Sequence, residues 1–280
     1  MHAGLEWLRG SPDGRAWLDR LPSLLEECRE QWSLELGEPF PYAFASLAVP
    51  ASDVVLKIQF PDRESEHEAD ALRAWNGNGA VRLVDYDRQR RALLIERCRP
   101  GSQLSELDPD AALGVLIDLL PRLWIPVTRP FRPLAEEADW WLGGLEAEWE
   151  EHGRPFGRGV LEAAALALQE LPQTQGEQVL LHQDLHAQNV LSAEREPWLA
   201  IDPKPLAGER EFAVAPIVRS FELGHSEGAV RRRLDRLCTE LRLDRERARR
   251  WAIAQTVAWS FGSDRLHGHI ETARWLLQAE

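Results

Sequence analysis

Apolar positions along the chain follow two rhythms. Between residues 15 and 37, Trp17, Leu18, Leu21, Leu24, Leu25, Cys28 and Trp32 return at helical spacing, and Pro39 and Pro41 stop the pattern. "AFASLAVP" (43–50) and "DVVLKIQF" (53–60) read as two strands around a turn at 50–53. "PDRESEHEADALRAW" (61–75) reads as a helix started by Pro61 and Asp62 and ended by the "NGNG" at 76–79. "AVRLVDYD" and "RALLIERC" form a second strand pair.

After "RPGS" (99–102) helical rhythm dominates. Leu113, Leu116, Ile117, Leu120 and Leu123 form one stripe, and Leu134, Ala138, Trp141, Leu142, Leu145 and Trp149 form another. Residues 158–171 predict a third helix, and the chain is helical again from about 226, with Trp251, Val257, Phe261, Trp275 and Leu276 inward. Two short apolar strands, "QVLLH" and "PWLAID", interrupt this half. The predicted class is α+β: a small antiparallel-sheet lobe (1–97), a connection near 96–101, and a larger, mainly helical lobe (98–280). A cleft between two such lobes is the usual place for a ligand.

Composition narrows the partners. The net charge of −13 argues against nucleic acid, and "RRRLDR" (231–236) and "RERARR" (245–250) read as solvated helix faces. A negative field favours cationic small molecules and Mg²⁺. No apolar run approaches the roughly 20 residues that span a bilayer, and the amino terminus lacks the pattern of a secretory signal. Cys28, Cys98 and Cys238 are too few and too scattered for a disulfide scaffold, so the expected compartment is the cytoplasm. The chain uses 31 arginines but only two lysines, Lys57 and Lys204, which draws attention to both.

The chemistry gathers in "LLHQDLHAQNVL" (180–191). His182 and His186, at i and i+4, would suit zinc on a helix, but the preceding "VLL" is strand-like and no third ligand follows. A polar loop whose Asp and Asn cap turns explains one or two of these residues. It does not explain His182-x-Asp184-x-x-x-x-Asn189 between two apolar strands.

That pattern resembles the H-x-D-x-x-x-x-N catalytic loop of the protein-kinase fold, in the form found in aminoglycoside phosphotransferases. The resemblance makes Asp184 the group that orients a substrate hydroxyl and accepts its proton, Asn189 a Mg²⁺ ligand and His182 a brace for the loop. "WLAID" places Asp202 where this fold keeps its second Mg²⁺ carboxylate, within an I-D-P-K sequence that holds Lys204. Upstream, Lys57 lies mid-strand opposite the apolar face of Val54, Leu56, Ile58 and Phe60. Such a lysine holds nucleotide phosphates in kinases and pairs with a helix glutamate. Glu68, on the buried stripe with Leu72 and Trp75, is preferred to Glu66. "LLIERCRPG" fits the hinge, where the backbone of Glu96 and Cys98 would meet the adenine edge, although a plain connector has the same letters.

Over nearly its whole length the chain resembles the streptomycin 6-phosphotransferase and hydroxyurea phosphotransferase group. This implies a protein-kinase-like fold, ATP and Mg²⁺ as cofactors, a monomer or weak dimer, and a small hydroxylated acceptor, cationic if it is streptomycin. Asp264, after "AWSFG", is a candidate acceptor contact, and aromatic faces in "EADWWLGGLEAEWEE" and "WSFGSD" could meet guanidinium groups. The chain departs from its relatives at three places. The phosphate-covering turn near 43–52 has no glycine, Gln183 stands where Gly is common, and Ala213 stands where relatives often carry Asp. A metabolite kinase of the same fold and a non-catalytic nucleotide-binding protein are the alternatives.

Overall fold

The computed structural model describes residues 3–41, 44–127 and 129–278. A 3-10 stretch (Ala3–Gly10) leads into helix α1 (Pro12–Gln31), where Pro12 occupies the first turn and Ser11 Oγ accepts from the Gly14 amide at 3.0 Å. Two antiparallel strands follow, β1 (Ser46–Ala51) and β2 (Val54–Gln59).

The helix expected over 61–75 forms only as α2 (Glu68–Trp75). Ahead of it Asp62 Oδ1 takes the Ser65 amide at 2.7 Å and Ser65 Oγ donates to the Phe60 carbonyl at 3.2 Å, local bonds that compete with a helical ladder. Asn76, left-handed at φ 48°, ends α2. Strands β3 (Leu83–Asp87) and β4 (Ala92–Glu96) complete a four-stranded antiparallel sheet in the order β1-β2-β4-β3.

Strand alternation splits β2 between two cores. Leu56 and Ile58 pack with Trp17, Leu18, Leu21, Leu24 and Cys28 in a cluster behind the sheet. Val55 faces the other way and joins Trp75, Leu93 and Ile95 in a cluster that runs on into the helical part, so the sheet is bonded to that part by shared apolar packing.

The helical part contains α3 (Pro109–Leu123), the short β5 (Arg132–Pro133), α4 (Leu134–Glu151) and α5 (Arg158–Glu170). Strands β6 (Gln178–Leu181), β7 (Val190–Ser192), β8 (Trp198–Ala200) and β9 (Leu206–Glu209) follow. Helices α6 (Ala215–Val218), α7 (Glu227–Leu241), α8 (Arg245–Ala258) and α9 (Leu266–Leu277) close the chain. Trp251 of α8 is fully buried. The two strands expected around the polar motif enter different sheets: β6 pairs with β9, whereas β8 forms a hairpin with β7. The loop 182–189 therefore leaves one sheet and enters another, which fixes both its ends.

Candidate active site

Lys57, buried on β2, reaches the two oxygens of Glu68 at 2.7 and 2.6 Å and Asp202 Oδ1 at 2.5 Å. Gln59 Nε2 adds a bond to Glu68 at 2.6 Å. Glu66 is exposed, so the helical stripe selects the buried carboxylate. Burial pushes the Glu68 carboxyl up, to about 7, with the Lys57 charge opposing it. Burial would also lower the Lys57 ammonium, but Asp202 and Glu68 override this and hold it protonated. Asp202 itself sits just past β8 in a left-handed conformation, φ 57°.

Hydrogen bonds and ring packing hold the loop. His182 Nε2 donates to the Ile201 carbonyl at 3.0 Å, its ring lies against Trp75, and its carbonyl accepts the Lys204 amide at 3.0 Å. The Ile201 amide bonds the Asn189 carbonyl at 2.9 Å. These bonds tie the Asp184 loop to the Asp202 segment. Burial depresses His182 to about 4, which keeps it neutral. Gln183 adopts φ 65°, a conformation that glycine reaches without cost, so the loop keeps that shape and the side chain bears the strain. Neither amide atom of the buried Gln183 side chain has a partner.

Asp184 faces three cations: Lys204 Nζ at 3.3 Å, Arg219 Nη2 at 3.4 Å and His186 Nε2 at 3.9 Å. Burial would raise this carboxyl, but Lys204, His186 and Arg219 together hold it below the usual aspartate range. Burial likewise opposes the charges of His186 and Glu222. Their 2.8 Å contact prevails, raising His186 and bringing Glu222 down to about 2. Around them lies a cavity of about 610 Å³ whose walls include Phe44, Arg219, Phe221, Glu222 and Trp259. A second cavity, about 770 Å³ between the start of α3 and α7, contains none of these groups. Lys204, His186 and Arg219 had no role assigned from sequence. The rarity of lysine was the only signal for Lys204, and nothing local marks Arg219, which is 35 residues from Asp184.

Several expectations change. The Glu96 amide donates to the Arg82 carbonyl at 2.9 Å, and its carboxylate takes Arg195 at 2.8 and 2.9 Å, so among the backbone groups expected at the adenine edge this amide already has a partner within the chain. Cys98 is half-buried with its thiol raised by burial, beside the turn at Gly101. Asp264 is exposed and does not line the cavity, whose wall is formed instead by its neighbours Ser263 and Arg265. Three of the tryptophans expected to meet guanidinium groups already have one of the chain's own cations over a face, although Trp140 stays 57% exposed. Lys204 and Arg219 each lie 4.7 Å from the Trp259 centroid, Arg63 covers Trp140, and Arg154 and Arg158 cover Trp149. Within the glycine-free turn near 43–52, Ala43 lies outside the described residues.

The family model described as "Aminoglycoside/hydroxyurea antibiotic resistance kinase" matches residues 44–263. The streptomycin 6-kinase of Streptomyces griseus is 39% identical over 258 residues, covering 88% of this chain and 84% of that one. The hydroxyurea phosphotransferase of Kitasatospora aureofaciens is 39% identical over 257 residues, covering 89% and 74%. Among solved structures, the choline kinase LicA of Streptococcus pneumoniae superposes with a TM-score of 0.67 at 13% identity, covering 92% of this chain and 99% of that one. An aminoglycoside phosphotransferase, APH(4)-Ia, in complex with ADP and hygromycin B gives 0.60 at 12% identity, covering 90% and 94%.

The fold is thus protein-kinase-like, and fold and site together define a phosphotransferase. The chain belongs to the aminoglycoside/hydroxyurea antibiotic resistance kinase family.

Two predictions follow from the loop. Replacing Gln183 by Gly removes left-handed strain and two unpartnered amide atoms, and should raise unfolding stability by about 1 kcal/mol in denaturant titration; a loss of stability would show the side chain to be a net contributor. His182 titrates near 4 in the fold and near 6.5 once unfolded, so the unfolded chain binds more protons between these values and stability falls as pH drops through that window. The His182→Gln variant lacks this dependence: its own loss between pH 7 and pH 5 should be smaller than the wild type's by roughly 1–2 kcal/mol, and parallel losses would refute the assignment.

Proposed function

We propose that this chain transfers the γ-phosphoryl group of ATP to a hydroxyl of a small antibiotic, streptomycin or hydroxyurea. The observation that carries the reading is the placement of Asp184, ionised by its cationic neighbours, in the wall of a cavity large enough for such an acceptor. The loop bonds described above join it to the segment holding Asp202 and, through Asp202, to Lys57 and Glu68. The boundary between a nucleotide lobe (1–97) and a catalytic, acceptor-binding lobe (98–280) is part of the same proposal, as is the cytoplasm, which suits three unpaired cysteines.

In this reading Asp184 receives the hydroxyl's hydrogen bond and takes its proton as the new O–P bond forms. A carboxylate kept well below neutrality is a weak base. Its main contribution is therefore to aim the oxygen, with proton transfer late in the reaction. Lys57 would hold the nucleotide phosphates, and Glu68 would fix Lys57.

The donor set also fits Mg²⁺. Asn189 Nδ2 donates to the Asp184 carbonyl at 3.0 Å, which leaves Asn189 Oδ1 as the oxygen available to a cation, and the Asn189 carbonyl takes the amide of Ile201, the neighbour of Asp202. Among the described residues no cluster of three or more His, Cys, Asp or Glu could hold a metal alone. A magnesium site is ordinarily completed by substrate phosphates, so the small donor set is the expected one. When bound, Mg²⁺ would neutralise phosphate charge.

Hydroxyurea gains weight from the covered face of Trp259, because an uncharged acceptor needs no free aromatic surface. Mass spectrometry of streptomycin and of hydroxyurea, each incubated with protein, Mg²⁺ and ATP, decides between them. A gain of one phosphate on either is expected, reduced at least about 100-fold in rate by Asp184→Ala with ATP affinity largely kept. No gain on either, with bound ATP never consumed, would favour the non-catalytic alternative. Asp202→Ala should abolish the Mg²⁺ dependence of ATP binding in calorimetry; an unchanged titration would remove Asp202 from the metal site.

A further inference from the structure

One end of the segment expected to cover the phosphates (43–52) is firmly held away from them. Ala51 pairs with Val54, which leaves Ser52 and Asp53 as the whole connection between β1 and β2. The Ser52 carbonyl accepts from Arg97 at 3.0 Å and Arg99 at 2.7 Å, and Asp53 pairs with Arg99 at 2.8 Å and takes the Arg97 amide at 3.0 Å. Both arginines belong to the linker after β4. That end, tied to the linker and with Pro50 lacking an amide hydrogen, supplies few backbone donors to a triphosphate, whereas Phe44 at the other end lines the cavity at Asp184. Lys57 is shared between Glu68 and Asp202. Besides Lys57 and Mg²⁺, further charge compensation for the terminal phosphate is available on the acceptor side.

Two cations are already beside Asp184. Lys204 is held rigidly: Pro203 precedes it, its amide bonds the His182 carbonyl at 3.0 Å, and its ammonium lies over Trp259. That ammonium also reaches Glu64, in the segment between β2 and α2, at 3.0 Å. Arg219 lies at the same distance from Trp259 and 3.4 Å from Asp184. In a chain that uses arginine almost everywhere, the lysine here is a compact ammonium that can move between two oxygen partners.

We propose that Lys204, assisted by Arg219, is a further catalytic residue that grips the γ-phosphoryl group from the acceptor side. The proposal rests on the kinase reading above. As the acceptor oxygen bonds to phosphorus, the bond from phosphorus to the ADP oxygen breaks and the hydroxyl proton passes to Asp184. Asp184 thereby loses its negative charge where the phosphoryl oxygens bring theirs. Lys204 and Arg219, which touch the terminal phosphate once the nucleotide binds, then turn fully from the Asp184 carboxylate to the phosphoryl oxygens without being left unpaired. An interaction that strengthens along the reaction accelerates it.

The test compares affinities for AMP-PNP and ADP, both with Mg²⁺, by calorimetry, which requires no knowledge of the acceptor. Lys204→Met should weaken AMP-PNP by about tenfold or more while ADP changes less than about twofold, because only AMP-PNP carries the terminal phosphate. Equal weakening of both nucleotides, or of neither, overturns the proposal. Should Lys204→Met fail to fold, Lys204→Arg serves. It keeps the charge, and is expected to bind AMP-PNP within about threefold of wild type while kcat falls about tenfold or more, since a planar fork cannot repeat the exchange. An unchanged kcat in that variant also counts against Lys204. Wild-type protein that binds neither nucleotide would instead sink the kinase reading beneath it.

Discussion

The contact between Lys57 and its two carboxylates is the constraint on which the rest of the site depends. It joins three elements that are far apart in sequence: the central strand β2, the first turn of α2 and the residue that follows β8. Each charge would be costly alone at its depth, and together they are compensated. Glu68 is almost fully buried and could not stay ionised without Lys57 and Gln59, and Lys57 could not stay protonated without Glu68 and Asp202. The sheet, the helix and the Asp202 segment are therefore registered to one another by electrostatics as well as by the apolar packing that Trp75 and Leu93 share with the helical part.

The same logic is repeated around Asp184 with the opposite sign in excess. Here one carboxylate meets Lys204, Arg219 and His186, two of which have further carboxylates of their own in Glu64 and Glu222. The chain as a whole carries a charge of −13, yet this wall of the cavity is rich in cations. Overall charge governs long-range attraction, whereas the chemistry is set by groups within a few ångströms. The numerous arginines also cover most of the tryptophan faces that sequence reasoning offered to a substrate.

The loop between β6 and β7 holds these two clusters together. His182 remains a neutral hydrogen-bonding strut, anchored on Trp75 and on the strand segment that delivers Asp202. The backbone at Gln183 is left-handed, a geometry that glycine adopts without cost, and this chain holds it with a bulkier residue.

Much of this was legible in the sequence because it depends on local order. Alternation along β2 set Lys57 apart from Leu56 and Ile58, the helical stripe chose Glu68 over Glu66, and the spacing of His182, Asp184, Asn189 and Asp202 named the loop. The tertiary structure alone decided which distant groups meet. Arg219 reaches Asp184 through the packing of α6 and its following residues, the Glu96 amide is taken by the carbonyl of Arg82 just before β3, and Asp264 falls just outside the cavity that its neighbours line. The physical reason is range. Periodicity and turn chemistry act over a few residues and are written in consecutive letters, whereas a charge pair or a covered aromatic face is fixed by the approach of elements whose separation no local pattern records.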